Sequence, residues 1–302
     1  MASLLRMTRA MSLVLALLLI TGTAARAGEV QVRDVVKKAF DVRPGGTLVV
    51  DMDHGNVEVL TTREDRVLIE LERIAQADNR EQAQRMIDQH VYDFRQVGND
   101  VRIRSRYEDE KGIMRRWRNQ SRIKLRLTVR VPERYNVDFS SGAGNVEIYA
   151  VEGRIEGRTG AGNIELDDVR GTIDITSGAG NIEVGGDVSW AKVHTGAGNI
   201  ELFNLTGAVE ANTGAGNVTA EIMRQPTRAS SLSSGAGNVT VHLARSVGVY
   251  VDATAALGSA ECEYDLKVEG KWLKKSFAGE VNGGGPELRI HAGVGNVALL
   301  RD

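Results

Sequence analysis

From Gly142 onward the chain alternates apolar and polar positions in short bursts that recur with a fixed period. Between Gly160 and Ser177, Ile164, Leu166 and Val169 are apolar, followed by Ile173 and Ile175. Glu165, Asp167 and Asp174 fall between them. Alternation of period two over runs this short predicts two β-strands separated by turns, and the 3.6-residue period of a helix is missing. The string Gly-Ala-Gly-Asn begins at Gly142, Gly160, Gly178, Gly196 and Gly214, a spacing of 18 residues, and returns at Gly235 after 21. Gly293-Val294-Gly295-Asn296 and His54-Gly55-Asn56 are variants of it.

A strand pair with one apolar stripe cannot bury that stripe alone, but stacked copies can. Stacking at about 4.8 Å per coil aligns equivalent side chains into columns. Val146, Ile164, Ile182, Ile200 and Val218 form one inward column. Ile148, Leu166, Val184 and Leu202 form a second, and Ile155, Ile173, Ala191 and Val209 a third. These columns predict an aliphatic core without large aromatics. Asn145, Asn163, Asn181, Asn199, Asn217 and Asn238 make a further column, read as a ladder that satisfies backbone amides at the corners. The fold expected is all-β: a single-stranded parallel β-solenoid with 18-residue coils over residues 141–302, irregular towards the C-terminus, behind an N-terminal β-rich cap.

Residues 28–140 form that cap together with irregular first coils. Alternation predicts strands at Leu48–Leu60, Val67–Ile74, Val101–Ser105, Ile123–Val131 and Val137–Ser140. One helix is predicted between them, with Asn79 as N-cap and Ala83, Met86, Ile87, His90, Val91 and Phe94 as its apolar face. Further strands are expected at Val247–Leu257 and Ala260–Val268, with a loop at Asn282–Pro286.

Residues 1–27 read as a signal peptide: Arg6 and Arg9, an apolar stretch from Ala10 to Ala25, then Ala25-Arg26-Ala27 as a cleavage site. This implies export, to the periplasm first and to the cell surface or medium as alternatives. No later segment is apolar enough to span a membrane. The chain has 302 residues and a formal net charge of −2, which gives no reason to expect a nucleic-acid partner. Cys262 is the only cysteine, so no internal disulfide forms. It alternates with acids and is placed on the buried side of a strand, where a thiol is unreactive.

At these residues the chain resembles a bacterial adhesin-like family of unknown function with β-strand repeats. The resemblance rests on the leader followed by strand pairs and on the Val131-Pro132 step before the first repeat. The recurring G-N-[VI]-E units and the closing stretch from Gly283 to Gly293 also carry it. It covers roughly residues 35–300. It implies a β-solenoid on the extracytoplasmic side of the envelope and supplies no catalytic residues. The chain departs from the family pattern in the regularity of its GAGN units.

Little in the sequence points to catalysis. Calcium-binding glycine-rich coils place an aspartate in every turn, whereas here asparagine occupies the turn and the acid lies on a strand. No metal or other cofactor is expected. The five histidines have no metal-ligand spacing, and the glycine turns precede strands, so no phosphate loop is formed. Glu147, Glu165, Glu183 and Glu201 form an outward column of like charge, read as a solvated face. Two places break the repetition with an aromatic beside cations: Trp190, Lys192 and His194 on one outward face, and Arg115, Arg116, Trp117 and Arg118 in the first half. These are the candidate interaction residues. The function expected is a non-enzymatic envelope scaffold that binds an anionic polymer, glycan, lipid surface or protein. A carbohydrate-active enzyme on a parallel β-helix is the alternative.

Overall fold

The computed structural model describes residues 30–107, 123–270 and 274–302. The signal-peptide segment lies outside them. The first half contains β1 (Val30–Asp41), β2 (Thr47–Met52), β3 (Asn56–Thr62), β4 (Arg66–Ala77), helix α1 (Arg80–Asp88), β5 (His90–Val97), β6 (Asp100–Tyr107) and β7 (Ile123–Pro132). The repeats supply β8 (Asn136–Ala143), β9 (Val146–Tyr149), β10 (Glu152–Ala161), β11 (Ile164–Ala179), β12 (Ile182–Ala197), β13 (Ile200–Leu205), β14 (Ala208–Ala215), β15 (Val218–Ile222), β16 (Ser230–Ala236) and β17 (Val239–Leu243). β18 (Val249–Leu257), β19 (Ala260–Cys262), β20 (Lys275–Val281), β21 (Glu287–Val294) and β22 (Val297–Arg301) complete the chain.

The repeats stack in parallel, in the register expected: Ile164 pairs with Ile182 and Ile182 with Ile200. Each coil contributes a segment to each of two walls. Wall A runs through β6, β2, β8, β10, the second halves of β11 and β12, then β14, β16, β21 and β18. Wall B runs through β7, β3, β9, the first parts of β11 and β12, then β13, β15, β17, β22 and β19. Spatial order therefore departs from chain order at both ends. The β2–β3 coil sits between the β6–β7 and β8–β9 coils, and the β21–β22 coil between β16–β17 and β18–β19. The apolar columns are buried throughout and belong to one core that extends from Val42 to Leu299.

The corners explain the motif. A Cβ on Gly160 would lie 2.4 Å from the carbonyl oxygen of Gly142, so the first glycine is required by the approach of the coil beside it. Gly162 has φ +136°, where an L side chain is strained, and meets the oxygen of Gly144 at 2.2 Å. The asparagines form the predicted ladder. The backbone N–H of Asn163 donates to Oδ1 of Asn145, and the same bond links Asn181 to Asn163, Asn199 to Asn181, Asn217 to Asn199 and Asn238 to Asn217. It continues through both reordered ends, from Asn145 to Asn56 and from Asn296 to Asn238. A second ladder lies inside the corner: Ser177, Thr195, Thr213 and Ser234 are buried and donate to the carbonyls of Gly162, Gly180, Gly198 and Gly216. The hydroxyl before each of these four GAGN units thus satisfies a half-buried corner carbonyl.

Several expectations change. Leu48–Leu60 is two strands, broken at Gly55 with φ +115°. The helix is shorter than its apolar period: Asn79 does cap it, accepting from the N–H of Gln82, but it ends at Asp88. His90, Val91 and Phe94 lie on β5, because that segment pairs antiparallel with β6 and the ladder outweighs local helix preference. The strand at Ala260 stops at Cys262, which is only half-buried against the core. The core does hold aromatics. Phe139 is buried, and Gly157 on the next coil yields the room: a Cβ there would meet the Phe139 ring at 2.4 Å.

Both ends close by reversing strand direction. β4 runs antiparallel to β7 and carries β1 antiparallel on its far side. β5 runs antiparallel to β6, and β20 to β18. Inverted end strands interrupt the parallel template that a second copy would need. Buried Arg73 ties the N-terminal closure together. It pairs with Asp34 of β1 at 2.5 Å, donates to the carbonyls of Ile87 and His90, and stacks on Tyr92 at 4.9 Å. Among the described residues no helix is long and apolar enough to cross a membrane.

Candidate functional site

The outward faces of the two walls differ. On wall B the acidic column is longer than expected, because Glu58 of the intercalated β3 stacks on Glu147. Glu147, Glu165, Glu183 and Glu201 follow in register. Burial, reinforced by neighbouring carboxylates, holds the Glu147 and Glu183 carboxyls above their ordinary range. Tyr149 donates to Glu165 at 3.2 Å, and burial beside these acids raises its phenol. The repetition makes this face uniform.

Wall A is where the repetition breaks. Along one outward row Arg154, Thr172, Trp190 and Ala208 are register neighbours. The register between β11 and β12 slips at the Gly185-Gly186 corner and recovers at Ser189, one residue before Trp190. A bulge re-aims the side chain that follows it. Trp190 is half-buried, because Arg228 lies over its ring at 4.2 Å. Arg228 belongs to the turn between β15 and β16, where the three additional residues of the 21-residue interval are inserted. The same turn is anchored by Gln225, which exchanges two hydrogen bonds of 2.8 Å with the backbone of Gly248. The tryptophan and the lengthened interval, two irregularities far apart in sequence, are one feature in space.

Beside Trp190 lies a trough of about 230 Å³, lined by Glu210, Asn212, Ala229, Ser231, Glu287 and Arg289 among others. Asn212 accepts a hydrogen bond from Ser233 at 2.6 Å. Arg289 on the far bank makes two bonds to Glu287, at 2.7 and 2.9 Å. Lys192 and His194 are exposed on the same strand as Trp190. Lys192 stands in register between Asp174 and Glu210, and His194 between Thr176 and Asn212. The other candidates, Arg115, Arg116, Trp117 and Arg118, lie outside the described residues. Sequence reading did not find Arg228, Glu210, Asn212, Ser231 or Arg289. The 21-residue interval was the available signal for the first of them.

Among the described residues no group of three or more His, Cys, Asp or Glu side chains is arranged to hold a metal ion. Cys262 is pushed up by burial, the condition of an unreactive thiol.

The architecture matches solved structures at low sequence identity. A protein from Bacteroides fragilis NCTC 9343 designated a "putative adhesin" superposes with a TM-score of 0.50 and 12% identity, over 89% of this chain and 97% of that one. One from Parabacteroides distasonis ATCC 8503 with the same designation gives 0.42 and 10%, over 88% and 97%. Another from that species, designated in the same provisional way as a lipid binding protein, gives 0.38 and 13%, over 88% and 96%. At 12% identity the first of these speaks for the fold alone. No curated protein matches the chain. The repeats, the glycine corners and the closing Gly-Gly-Gly-Pro stretch all fall within residues 46–299, which match the model of one family, and the chain belongs to that family, Toastrack DUF4097.

Proposed function

We propose that the protein is an exported, adhesin-like scaffold of the bacterial envelope that binds another macromolecule through the outer face of wall A and performs no chemistry on it. One observation carries this reading. A stack of near-identical rungs is differentiated at one patch, where Trp190, Arg228 and the lengthened turn converge beside a polar trough. Identical rungs supply rigidity, and a rigid surface lowers the entropic cost of binding. Export rests on the leader at residues 1–27 and on the family's expected place outside the cytoplasm.

The test is co-sedimentation of the mature chain with washed envelopes of a bacterium that encodes it, followed by crosslinking through a photoreactive residue at position 192. Retention with crosslinks at that position supports the scaffold reading. Failure to sediment, or crosslinks that appear equally from a probe placed at Glu183 on wall B, refutes it. A glycan-cleaving enzyme has one feature in its favour, since Glu210 and Glu287 line the same trough. Glu287 is, however, committed to a two-bonded pair with Arg289, whereas glycoside cleavage needs one carboxyl to donate a proton and a second to attack or activate water. Release of reducing ends from envelope polysaccharide would establish the enzymatic reading.

A further inference from the structure

We infer that the trough beside Trp190 is a saccharide-binding subsite that takes an uncharged, hydroxyl-rich sugar chain; the inference rests on the scaffold reading and names its ligand class. Trp190 on β12, Ala229 just before β16 and Glu287 at the start of β21 line the trough along wall A. Three strand spacings separate the indole from the far bank, about 14 Å. Between the indole and Glu287 the trough is lined by the small side chains of Ala229 and Ser230. Arg228 lies over the indole, and the part of Trp190 that lines the trough leaves room for a sugar ring to set its C–H face against it. That contact suits an aromatic side chain with a polar surround.

The next two rows hold the hydrogen-bonding groups. Glu210 is level with Ser231 and Arg289, and Asn212 with Ser233 and His291. Together they offer a carboxylate acceptor, an amide, hydroxyls that donate and accept, and a guanidinium donor. Sugar hydroxyls both donate and accept, and this mixture answers them. The Asn212 amide is already oriented, because its oxygen receives the Ser233 hydroxyl. Part of the ordering cost is therefore met before a ligand arrives.

The charges decide between sugar and polyanion. The sequence placed an aromatic beside cations, which suits an anionic polymer. In the fold Lys192 and the two arginines at the trough each face an acid or a ring. Lys192 stands between Asp174 and Glu210, Arg289 holds Glu287, and Arg228 covers Trp190. A phosphate or sulfate chain entering the trough would meet Glu210 and Glu287. A neutral chain meets no such opposition, and its binding should change little with salt.

Saturation-transfer NMR on the mature chain tests this with cellotriose, chitotriose and mannotriose as neutral probes and a heparin tetrasaccharide as the anionic comparator. At least one neutral trisaccharide is expected to show transfer that survives molar salt. Trp190→Ala is expected to weaken it about tenfold, the value of one aromatic contact. Trp190 is half-buried and no part of the core, so the variant should keep a melting temperature close to the parent's. Ser231→Tyr, which fills the trough, should abolish transfer by a separate route. The inference is overturned if no neutral probe shows transfer, if transfer survives both substitutions, or if only the heparin fragment binds and does so with steep salt dependence. Sedimentation with envelopes separates the two levels. A chain that sediments but binds no trisaccharide keeps the scaffold reading and loses this site, whereas one that binds through Trp190 but never sediments does the reverse.

Discussion

Replacing Glu183 by Gln should make the protein more stable, and the size of the gain follows from the stack. Glu183 lies in register between Glu165 and Glu201 on the outer face of wall B. Neighbouring coils are about 4.8 Å apart, and two unit charges at that distance repel by about 0.9 kcal/mol in water. The carboxylates are largely exposed, can splay apart and are screened by salt, so about half of that survives for each neighbour. Removing one charge relieves two such contacts, a gain of about 1 kcal/mol and about 2 °C in melting temperature for a chain of this size. Glutamine keeps the stem and an acceptor oxygen, so packing changes little.

The pH dependence supplies the sign. Burial and the flanking acids raise the Glu183 carboxyl in the fold. A carboxyl whose folded value exceeds its unfolded one binds more protons in the folded state across that window. Its unfavourable contribution is complete at neutral pH and is relieved as pH falls through the raised folded value. Chemical denaturation of parent and variant, compared near neutrality and near about pH 5, should therefore show the advantage of Glu183→Gln shrinking on acidification. It should also shrink in molar salt. The difference between the two proteins matters more than either curve, because other groups titrate in the same range. Equal or lower stability of the variant at neutral pH and low salt would refute the reasoning, as would a gain indifferent to salt.

Three further outcomes test the interior. Ile182, buried in the middle of the stack, should cost about 3 kcal/mol when cut to Ala, and Ile182→Asp should remove cooperative unfolding and expose the central coils to limited proteolysis. Asn181→Ala deletes the oxygen that accepts the Asn199 N–H at 2.9 Å and should cost about 1 kcal/mol, whereas Asn181→Asp keeps the acceptor and most of the stability; equal losses in thermal melts would contradict the ladder. His90 is buried, bonded to Ser105 at 2.8 Å, and lowered to about 4 by burial and then by Arg73 and His54. The unfolded chain takes up this proton first, so stability on the order of 3 kcal/mol is lost as pH falls from about 6.5 towards 4. An NMR titration of the His90 ring with an ordinary midpoint would contradict this.

The repeats were legible because each rung specifies itself. A column such as Val146, Ile164, Ile182 and Ile200 is set by an 18-residue spacing within the chain, and its partner is another copy of the same pattern. The same property hides the order of the rungs. His54-Gly55-Asn56 announces a coil, yet nothing in it says that Asn56 will accept from Asn145 and not from the coil that follows it in sequence. Interchangeable rungs stack in any order the connections allow, and the β4–α1–β5 segment between the two coils lets the β6–β7 coil take the place outside β2–β3. The segment from His90 to Phe94 departs from its local pattern for a different reason. Its apolar residues fit a helical face, and its pairing with β6 decides for strand.

The site shows the same limit and a way past it. Trp190 could be singled out because it breaks a column, but its chemistry depends on residues one, two and three coils away. Read locally, Trp190-Ala191-Lys192-Val193-His194 is an aromatic among cations. Read through the register, Lys192 acquires Asp174 and Glu210 as neighbours, and the local excess of positive charge disappears. In a solenoid the meaningful neighbour of a residue is the one a repeat away, so charge and aromatic patterns must be summed down columns before a ligand is inferred. Applied to the 21-residue interval, the same rule places the inserted turn one coil beyond the neighbour of Trp190 and brings Arg228 to the indole. A break in the column and a break in the period within two coils of each other are then a single perturbation of the stack, and a stack that tolerates such a perturbation at one place offers there the only kind of surface that its identical rungs do not already present elsewhere.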